Sequence, residues 1–473
     1  MSALAGLWRW DGRPDAAEGC RRMLAAQHIY GPHANDDWSA GVVALGRRLF
    51  RTLPEDAHDR QPLTGGGGRY ILVADVRLDD RDGLARALGR DSGELSRTAD
   101  SALLLAAWER WGEDLFDSVV GDYAFALWDA GERRLILARD ALGGRPLHYH
   151  LGAGFTAFAS MPKGLHALPE IPYAPDEVRG AEFLALLPEH GPRSFFEGVS
   201  RVEPGEIVTI SADGGLARRR HWQPRREALR APPDDYEEGL RHHLDLAVAS
   251  RLRGSGGTVA AHLSAGLDSS AVAATAARLM AAQRGRVVAF TSAPPLGFSA
   301  PATAGALADE GPLAAATAAL YPNMEHVLVR PEDRTVLDDA DRDFFLFERP
   351  LVNVDVQSWW NRINAEAQRR RIGVLLTGLN GNNTISYAGM ELLPELLAGG
   401  RWLKLLRTAR ALRRSGRVRL GTILAATVGP WVPERLWHAI SQKRRGWSWD
   451  VTRYTTLRPE RLRALDLPAT ARA

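Results

Sequence analysis

The sequence predicts an α/β chain of two domains. A layered, mostly antiparallel β-sandwich with some helix comes first, and a doubly wound parallel sheet follows. Three observations carry this reading. At 473 residues the chain exceeds one core, given roughly 100–200 residues per domain. Its first half consists of short apolar runs separated by Gly, Asp and Pro turns. After residue 228 strand and helix patterns alternate, which argues for parallel βαβ units.

In chain order, "RYILVADVRL" (69–78) alternates and stops at the turn-like "DDRDG". "DYAFALWD" (122–129), "RLILARD" (134–140), "PLHYHLGAGFTAFAS" (146–160) and "EIVTISADGG" (206–215) are further strands bounded by turn residues. "SALLLAAWERWG" (101–112) has the 3–4 spacing of a helix. "TGGGG" (64–68) reads as a flexible turn, since no helix with Lys follows it. Residues 217–241 are charged and proline-bearing, a linker running into a helix. Then come helix 235–252, strand 258–263, helix 269–283, strand 286–291, helix 305–320 and strand 325–329. The domains are expected at 1–222 and 228–473. Segment 401–419 predicts a helix, basic on one face, with an apolar stripe of Trp402, Leu403, Leu406, Ala409 and Leu412. A solvated amphipathic helix is the plain reading, and a docking face for an acidic partner the sharper one.

Composition narrows the classes. Apolar residues make up 45% and charged residues 25%, an ordinary globular balance. The net charge of +3 gives no reason to expect nucleic acid. Cys20 is the single cysteine, which excludes an internal disulfide and a cysteine-rich metal site. Neither a basic-plus-apolar start nor a membrane-spanning run is present, so a cytoplasmic enzyme is expected.

The informative stretch is "HLSAGLDSSAVAATAARL" (262–279). A buried strand that ends in a Gly-containing turn and opens a helix offers free amide N–H groups to an anion. Ser264, Ser269 and Ser270 add hydroxyls, and Gly266 lets the backbone come close. No Lys completes the GxxxxGK[ST] loop, which argues against a kinase-type site. Asp268 would repel a phosphate unless a cation lies between them, an arrangement that suits a Mg²⁺-bridged pyrophosphate. The plain alternative is a helix capped by Ser or Asp.

This run resembles the SGGxDS loop of the ATP-pyrophosphatase superfamily, most closely the LSGGLDSS of the asparagine synthetase branch, with Ala265 for the first Gly. "GDYAFALWDAGERRLILARDALGGRPLHYH" (121–150), "HW" (221–222), "ADEGPLAAATAALYPNMEH" (308–326) and "LLTGLNGNNTISYAG" (375–389) resemble further family segments in the same order. The resemblance implies a glutaminase-like, Ntn-hydrolase-type N-terminal domain and an ATP-pyrophosphatase domain. It also implies ATP and Mg²⁺ as cofactors. ATP would be bound by Leu263, Ser264, Gly266, Asp268, Ser269, Thr377 and Gly378, and the metal by Asp268, Asp309 and Glu310. Asp268 would be catalytic, and a late basic residue, Lys443 or Arg444, would stabilise the developing negative charge.

Two departures shape the expectation. The family's glutaminase nucleophile is an N-terminal Cys. The matching segment here reads "ALAGLWRWDG", Cys20 is internal and reads as a packing residue, and Ser2 is out of register with Gly6. The family's oxyanion Asn-Gly is replaced near "ADVRLDD". A glutaminase-like domain without its activity is expected. Where the family carries an acidic pair, this chain has Asn382 and Asn383. "TGxxGNxTISYxG" and "RPLVNVDVQSWWNRINAEAQRRR" (349–371) instead resemble the macrolactam synthetases of lasso peptide biosynthesis. Trp359 and Trp360 lie on that segment, as packing or as peptide-contact residues. The implied function is adenylation of an Asp or Glu side chain in a precursor peptide, closed by the peptide's own N-terminal amine. A leader-binding protein and a leader peptidase would be partners, with no nucleic acid and no membrane span. Between its domains such an enzyme would need a large cavity, floored by 350–390 and walled by 401–419. The alternatives are an asparagine synthetase-like or β-lactam-forming enzyme on a small substrate, and a non-catalytic binding protein.

Overall fold

The structure, a computed structural model, describes residues 1–225, 231–298, 307–331, 335–387, 389–414, 418–433, 436–437, 440 and 455–467. The chain forms two compact units. The first takes Met1–Gly180, Glu189–Gly256 and Thr335–Ser358, and the second takes the rest.

Two six-stranded antiparallel sheets build the first unit. One runs in the order Ser200–Arg201, His148–Gly152, Phe155–Ala159, Ala3–Arg9, Val43–Leu49, Ala34–Ala40. The other runs Leu216–Arg220, Glu206–Ser211, Arg134–Arg139, Gly121–Asp129, Tyr70–Leu78, Leu63–Gly65. Their inner faces make one core: Leu4, Trp8 and Leu45 of the first sheet meet Val73, Ala126 and Leu137 of the second. Trp8 packs edge-on against Trp128 at 4.7 Å. Helix Ala16–Ala26 covers the outer face of the first sheet, and helix Asp100–Trp111 that of the second. The result is a four-layer α–β–β–α sandwich. Full burial of each Leu or Val in such layers contributes roughly 1.5–3 kcal/mol.

The sequence placed strands 69–78, 122–129 and 134–140 and helix 101–112 within a residue or so of their positions. The 146–160 run is a hairpin, and 206–215 ends at Ser211 before a further strand, Leu216–Arg220. "TGGGG" is a short strand, Leu63–Gly65, and a 3₁₀ turn with left-handed Gly67.

In the second unit four parallel strands run in the order Met324–Val329, Arg286–Ser292, Thr258–His262, Leu375–Leu376. Val259 and Ala261, like Val287 and Ala289, are buried, as are the alternate Ala260, Val288 and Phe290. Both faces are therefore covered, and the strands read as continuous apolar runs. Helix Leu267–Ala282 packs against the two central strands, while Ile363 and Ala367 pack on the face of Ala260, Val288 and Phe290. Helix 305–320 is observed as Gly311–Ala318, with 301–306 outside the described residues.

The compact units divide the chain elsewhere than the expected domains at 1–222 and 228–473. Helix Pro233–Leu252 belongs with the first unit because Arg251 pairs with Asp122 (2.6 Å) and Asp79 (3.0 Å), while Arg253 pairs with Asp100 (2.5 Å). Segment 335–358 joins it through Tyr30, whose hydroxyl donates to the Leu346 carbonyl (2.8 Å), and through the Lys163 amide, which donates to Glu348 (3.0 Å). Ala181 and Ala185 belong with the second unit, packed on Leu462 and Leu467. One expectation is corrected, the apolar stripe of helix Trp402–Arg414. Leu405, Thr408, Ala409 and Leu412 are its half-buried side, whereas Trp402, Leu403 and Leu406 are exposed.

Candidate active site

Strand Thr258–His262 ends at Leu263, and helix Leu267–Ala282 starts after Gly266. The Ser270 amide donates to the Gly266 carbonyl (3.3 Å). The N–H groups of Leu267, Asp268 and Ser269 precede that first helical bond, so they form the partial positive end of the helix.

The serines do something the sequence did not suggest. Ser264 and Ser269 bond to each other through their hydroxyls at 2.6 Å. The Ser264 amide donates to Ser269 Oγ (3.0 Å), the Gly266 amide donates to Ser264 Oγ (3.1 Å), and Ser270 Oγ donates to the Ser264 carbonyl (3.3 Å). The hydroxyls thus shape the turn from within, beside the backbone amides at the helix start. A Cβ at Gly266 would lie 3.2 Å from Ser264 Oγ, so glycine keeps the turn tight.

A second loop is pressed onto this helix start. Strand Leu375–Leu376 pairs with Ala260 and Ala261 and delivers Thr377 and Gly378 beside it. A Cβ at Gly378 would meet the Ser269 amide nitrogen at 2.6 Å, and one at Gly381 would meet Asp268 Cγ at 2.1 Å. Gly381 is preceded by Asn380 in the left-handed region (φ 63°). Ser386 Oγ lies 3.0 Å from Asp268 Oδ2 and 3.2 Å from Asn382 Oδ1. Asp268 Oδ1 is buried and has no hydrogen-bond partner among the described residues. An orphaned carboxylate oxygen at an anion-attracting helix end fits a cation held beside a phosphate.

The metal set is less gathered than expected. Asp309 Oδ1 accepts from the Gly311 amide (2.8 Å), which caps helix Gly311–Ala318, and Glu310 holds the cap position. Among the described residues, no group of three or more His, Cys, Asp or Glu is assembled for a metal. That still fits Mg²⁺, which is commonly held by one or two carboxylates plus phosphates and water. Lys443 and Arg444 lie outside the described residues.

Three residues escaped sequence reasoning. Thr291 Oγ1 donates to the Leu263 carbonyl (2.7 Å) and lies 2.8 Å from His326 Nε2. A hydroxyl has one proton, so His326 Nε2 is the donor in the second bond. This chain of contacts ties the strand ends beneath the loop. His262 is buried against Trp359 (5.4 Å) and Trp360 (5.5 Å), and burial lowers its pKa to about 4. Both tryptophans therefore pack on the strand that carries the loop. No motif marks these residues; only the fold brings them together.

In the first unit, Cys20 sits inside a helix with Sγ against the Ala5 carbonyl, and burial pushes its thiol pKa up. Ser2 is buried, and its Oγ accepts from the Phe50 amide (3.1 Å). Near the missing Asn-Gly, Asp75 is buried and forms a 3.5 Å ion pair with Arg145. A cavity of about 590 Å³ in this unit is lined by Tyr30, His148, Met161, Phe195, Phe347 and Glu348 among others.

Comparison with known proteins places these features. Residues 1–222 match the glutamine amidotransferase domain family, and residues 239–461 match the asparagine synthase family. The chain is 31% identical over 259 residues to asparagine synthetase [glutamine-hydrolyzing] 3 of Bacillus subtilis, covering 54% of this chain and 42% of that protein. It is 33% identical over 303 residues to a putative asparagine synthetase [glutamine-hydrolyzing] of Mycobacterium bovis, covering 59% of this chain and 45% of that one. It therefore spans less than half the length of these curated relatives. Among solved structures, the glutamine phosphoribosylpyrophosphate amidotransferase of B. subtilis aligns at 14% identity and a TM-score of 0.36, covering 69% of this chain and 91% of that one, too low a score to carry weight. With one match on the antiparallel sandwich and the other on the parallel sheet that carries the SAGLDSS turn, the chain belongs to the asparagine synthetase family.

Proposed function

We propose that this chain is an ATP-dependent amide-forming ligase that adenylates an Asp or Glu side chain of a precursor peptide and closes a macrolactam with the peptide's N-terminal amine, releasing AMP and pyrophosphate. The observation that carries the proposal is Asp268, a carboxylate planted at the anion-attracting start of a helix with Oδ1 buried and without a partner among the described residues. The amides of Leu267, Asp268 and Ser269 would receive the pyrophosphate, with Thr377 and Gly378 alongside. A bound Mg²⁺ would neutralise phosphate charge there, with Asp268 Oδ1, Asp309 and Glu310 as its protein ligands. The late cation, Lys443 or Arg444, would face the charge developing at the acyl centre.

Two features favour a peptide over ammonia. The "TGLNGNNTISYAG" loop resembles that of the peptide cyclases, and Cys20, the single cysteine, is a buried packing residue remote in type from an N-terminal nucleophile. An amine supplied by the substrate itself fits a chain without its own ammonia source. Holding both ends of one peptide makes the second step intramolecular, a gain of several kcal/mol in favourable cases. A leader-binding protein and a leader peptidase would accompany the reaction, in the cytoplasm. The names of the relatives favour a second reading, amide formation on a small acceptor such as aspartate.

The test uses a precursor peptide with a free N-terminal amine and an Asp or Glu about seven to nine residues on, the spacing that the resemblance to the macrolactam synthetases implies; closure within one peptide is intramolecular. Loss of one water, dependent on ATP and Mg²⁺, is expected. Acetylating the N-terminus should stop ring closure. Asp268→Ala should reduce turnover by about a hundredfold or more with the fold intact. Faster conversion of free aspartate plus ammonia than of any such peptide would replace the macrolactam reading with the small-substrate one.

A further inference from the structure

Between residues 401 and 433 the sequence carries eight Arg and Lys and no Asp or Glu. The segment includes helices Trp402–Arg414 and Leu420–Val428, both packed on helix Leu392–Ala398, whose Leu393 and Leu396 are buried. Ile423 and Thr427 are buried, and Leu405, Thr408, Ala409 and Leu412 are half-buried. What remains outward is large and apolar. Trp402, Leu403 and Leu406 are exposed on one helix, with Leu403 at 75%. Leu420, Leu424 and Val428 are exposed on the other, followed by Trp431 at 61%. Lys404, Arg407, Arg410, Arg413 and Arg414 are exposed around them. Single exposed leucines are ordinary, but seven large apolar groups on two touching helices and the turn that follows them are not.

We propose that this face docks on the surface of an anionic lipid bilayer. The inference is independent of the reaction proposed above. Leu and Trp side chains enter the boundary between headgroups and acyl chains, with tryptophan favouring the headgroup level. Arg and Lys stems lie along the apolar surface while their charged ends reach the anionic headgroups. The charge pattern excludes a second copy seated face to face, because Lys404, Arg407, Arg410, Arg413 and Arg414 of each copy would meet cations of the other. An acidic peptide would match the charge, but a single docking helix presents only three or four apolar anchors, fewer than this face offers. Among the described residues no helix is long and apolar enough to cross a membrane, so the contact is peripheral.

The test is co-sedimentation of the full chain with vesicles. At least about tenfold tighter binding is expected on phosphatidylcholine vesicles containing about one third phosphatidylglycerol than on phosphatidylcholine alone, weakened by about 0.5 M salt. The double variant Leu403→Glu/Leu406→Glu should bind the anionic vesicles at least about tenfold more weakly, since charge enters the apolar stripe. Leu142→Glu, at an exposed leucine of the first unit, should bind as the parent does. Circular dichroism checks the fold, and Trp431→Ser repeats the test should the double variant unfold. Equal binding to both vesicle types, or no loss in the folded variants, overturns the proposal. So does self-association, or binding of a soluble acidic peptide, that is abolished by the same changes while vesicle binding stays absent.

Discussion

Asp268 and the two glycines facing it show how little freedom the site has. Gly381 has no room for a methyl group, because its Cβ would lie 2.1 Å from Asp268 Cγ. Gly381→Ala must push the loop off the helix start, an overpacking change worth about 1–3 kcal/mol. Nucleotide binding, followed by calorimetry, is expected to weaken about tenfold, the equivalent of about 1.4 kcal/mol. Gly373 meets nothing within 4 Å, so Gly373→Ala should bind as the parent does. Equal binding by Gly381→Ala and the parent would separate this loop from the nucleotide. At this scale the sequence was informative where chemistry is clustered. SAGLDSS announced itself because strand end, glycine and acid are adjacent. The Thr291–His326 link did not, since its members are 35 residues apart and ordinary singly. The bonds that Ser264 and Ser269 make within the turn were hidden for a related reason: a hydroxyl there can serve the turn as well as a ligand.

Among the elements, those with strict alternation or helical spacing were legible, and those shaped by their neighbours were not. Strand Ala3–Arg9 is buried along its whole length, so "ALAGLWR" shows no period-two pattern to read. Strand Ala34–Ala40, "ANDDWSA", is polar and largely exposed, a composition that disfavours strands. It forms because Gly41, at φ 57°, turns it back along Val43–Leu49. The C-terminal end of helix Ala340–Phe347 carries a measurable consequence. Glu348 is buried there, and burial raises its carboxyl from 4.5 to about 7. Between about pH 4.5 and 7 the folded protein keeps a proton that the unfolded chain has lost, so this residue makes stability fall as pH rises through that window. Glu348→Gln should match the parent below that window. It should exceed it at pH 8 by on the order of 3 kcal/mol at most, read from denaturant unfolding. A parent whose stability rises between pH 5 and 7 by the same amount as the variant's would show that the carboxyl ionises normally.

For the whole molecule, a two-part α/β chain was legible because the texture of the sequence changes once, near residue 217. The partition of contacts was not, since ion pairs such as Arg253–Asp100 join residues 153 positions apart and leave no local trace. The pairing of an amidotransferase-type sandwich with a buried, unreactive thiol has a direct test. Purified protein given glutamine should release no ammonia above background. Steady hydrolysis that disappears in Ser2→Ala would show instead that the Ser2 hydroxyl, which now accepts from Phe50, is a working nucleophile. The Arg251 and Arg253 clamps have a further consequence, at the level of the gene. No single cut separates the two units, because the first draws on three stretches of coding sequence and the second fills the gaps. A truncation at residue 222 would leave Asp79, Asp100 and Asp122 without the guanidinium partners that helix Pro233–Leu252 and Arg253 bring to them. Exchange of the amidotransferase half between relatives would therefore have to carry that helix and the 335–358 segment with it, and a crossover in the linker alone would strip Asp79 and Asp122 of Arg251 and leave Asp100 ion-paired with Arg81 alone among the described residues.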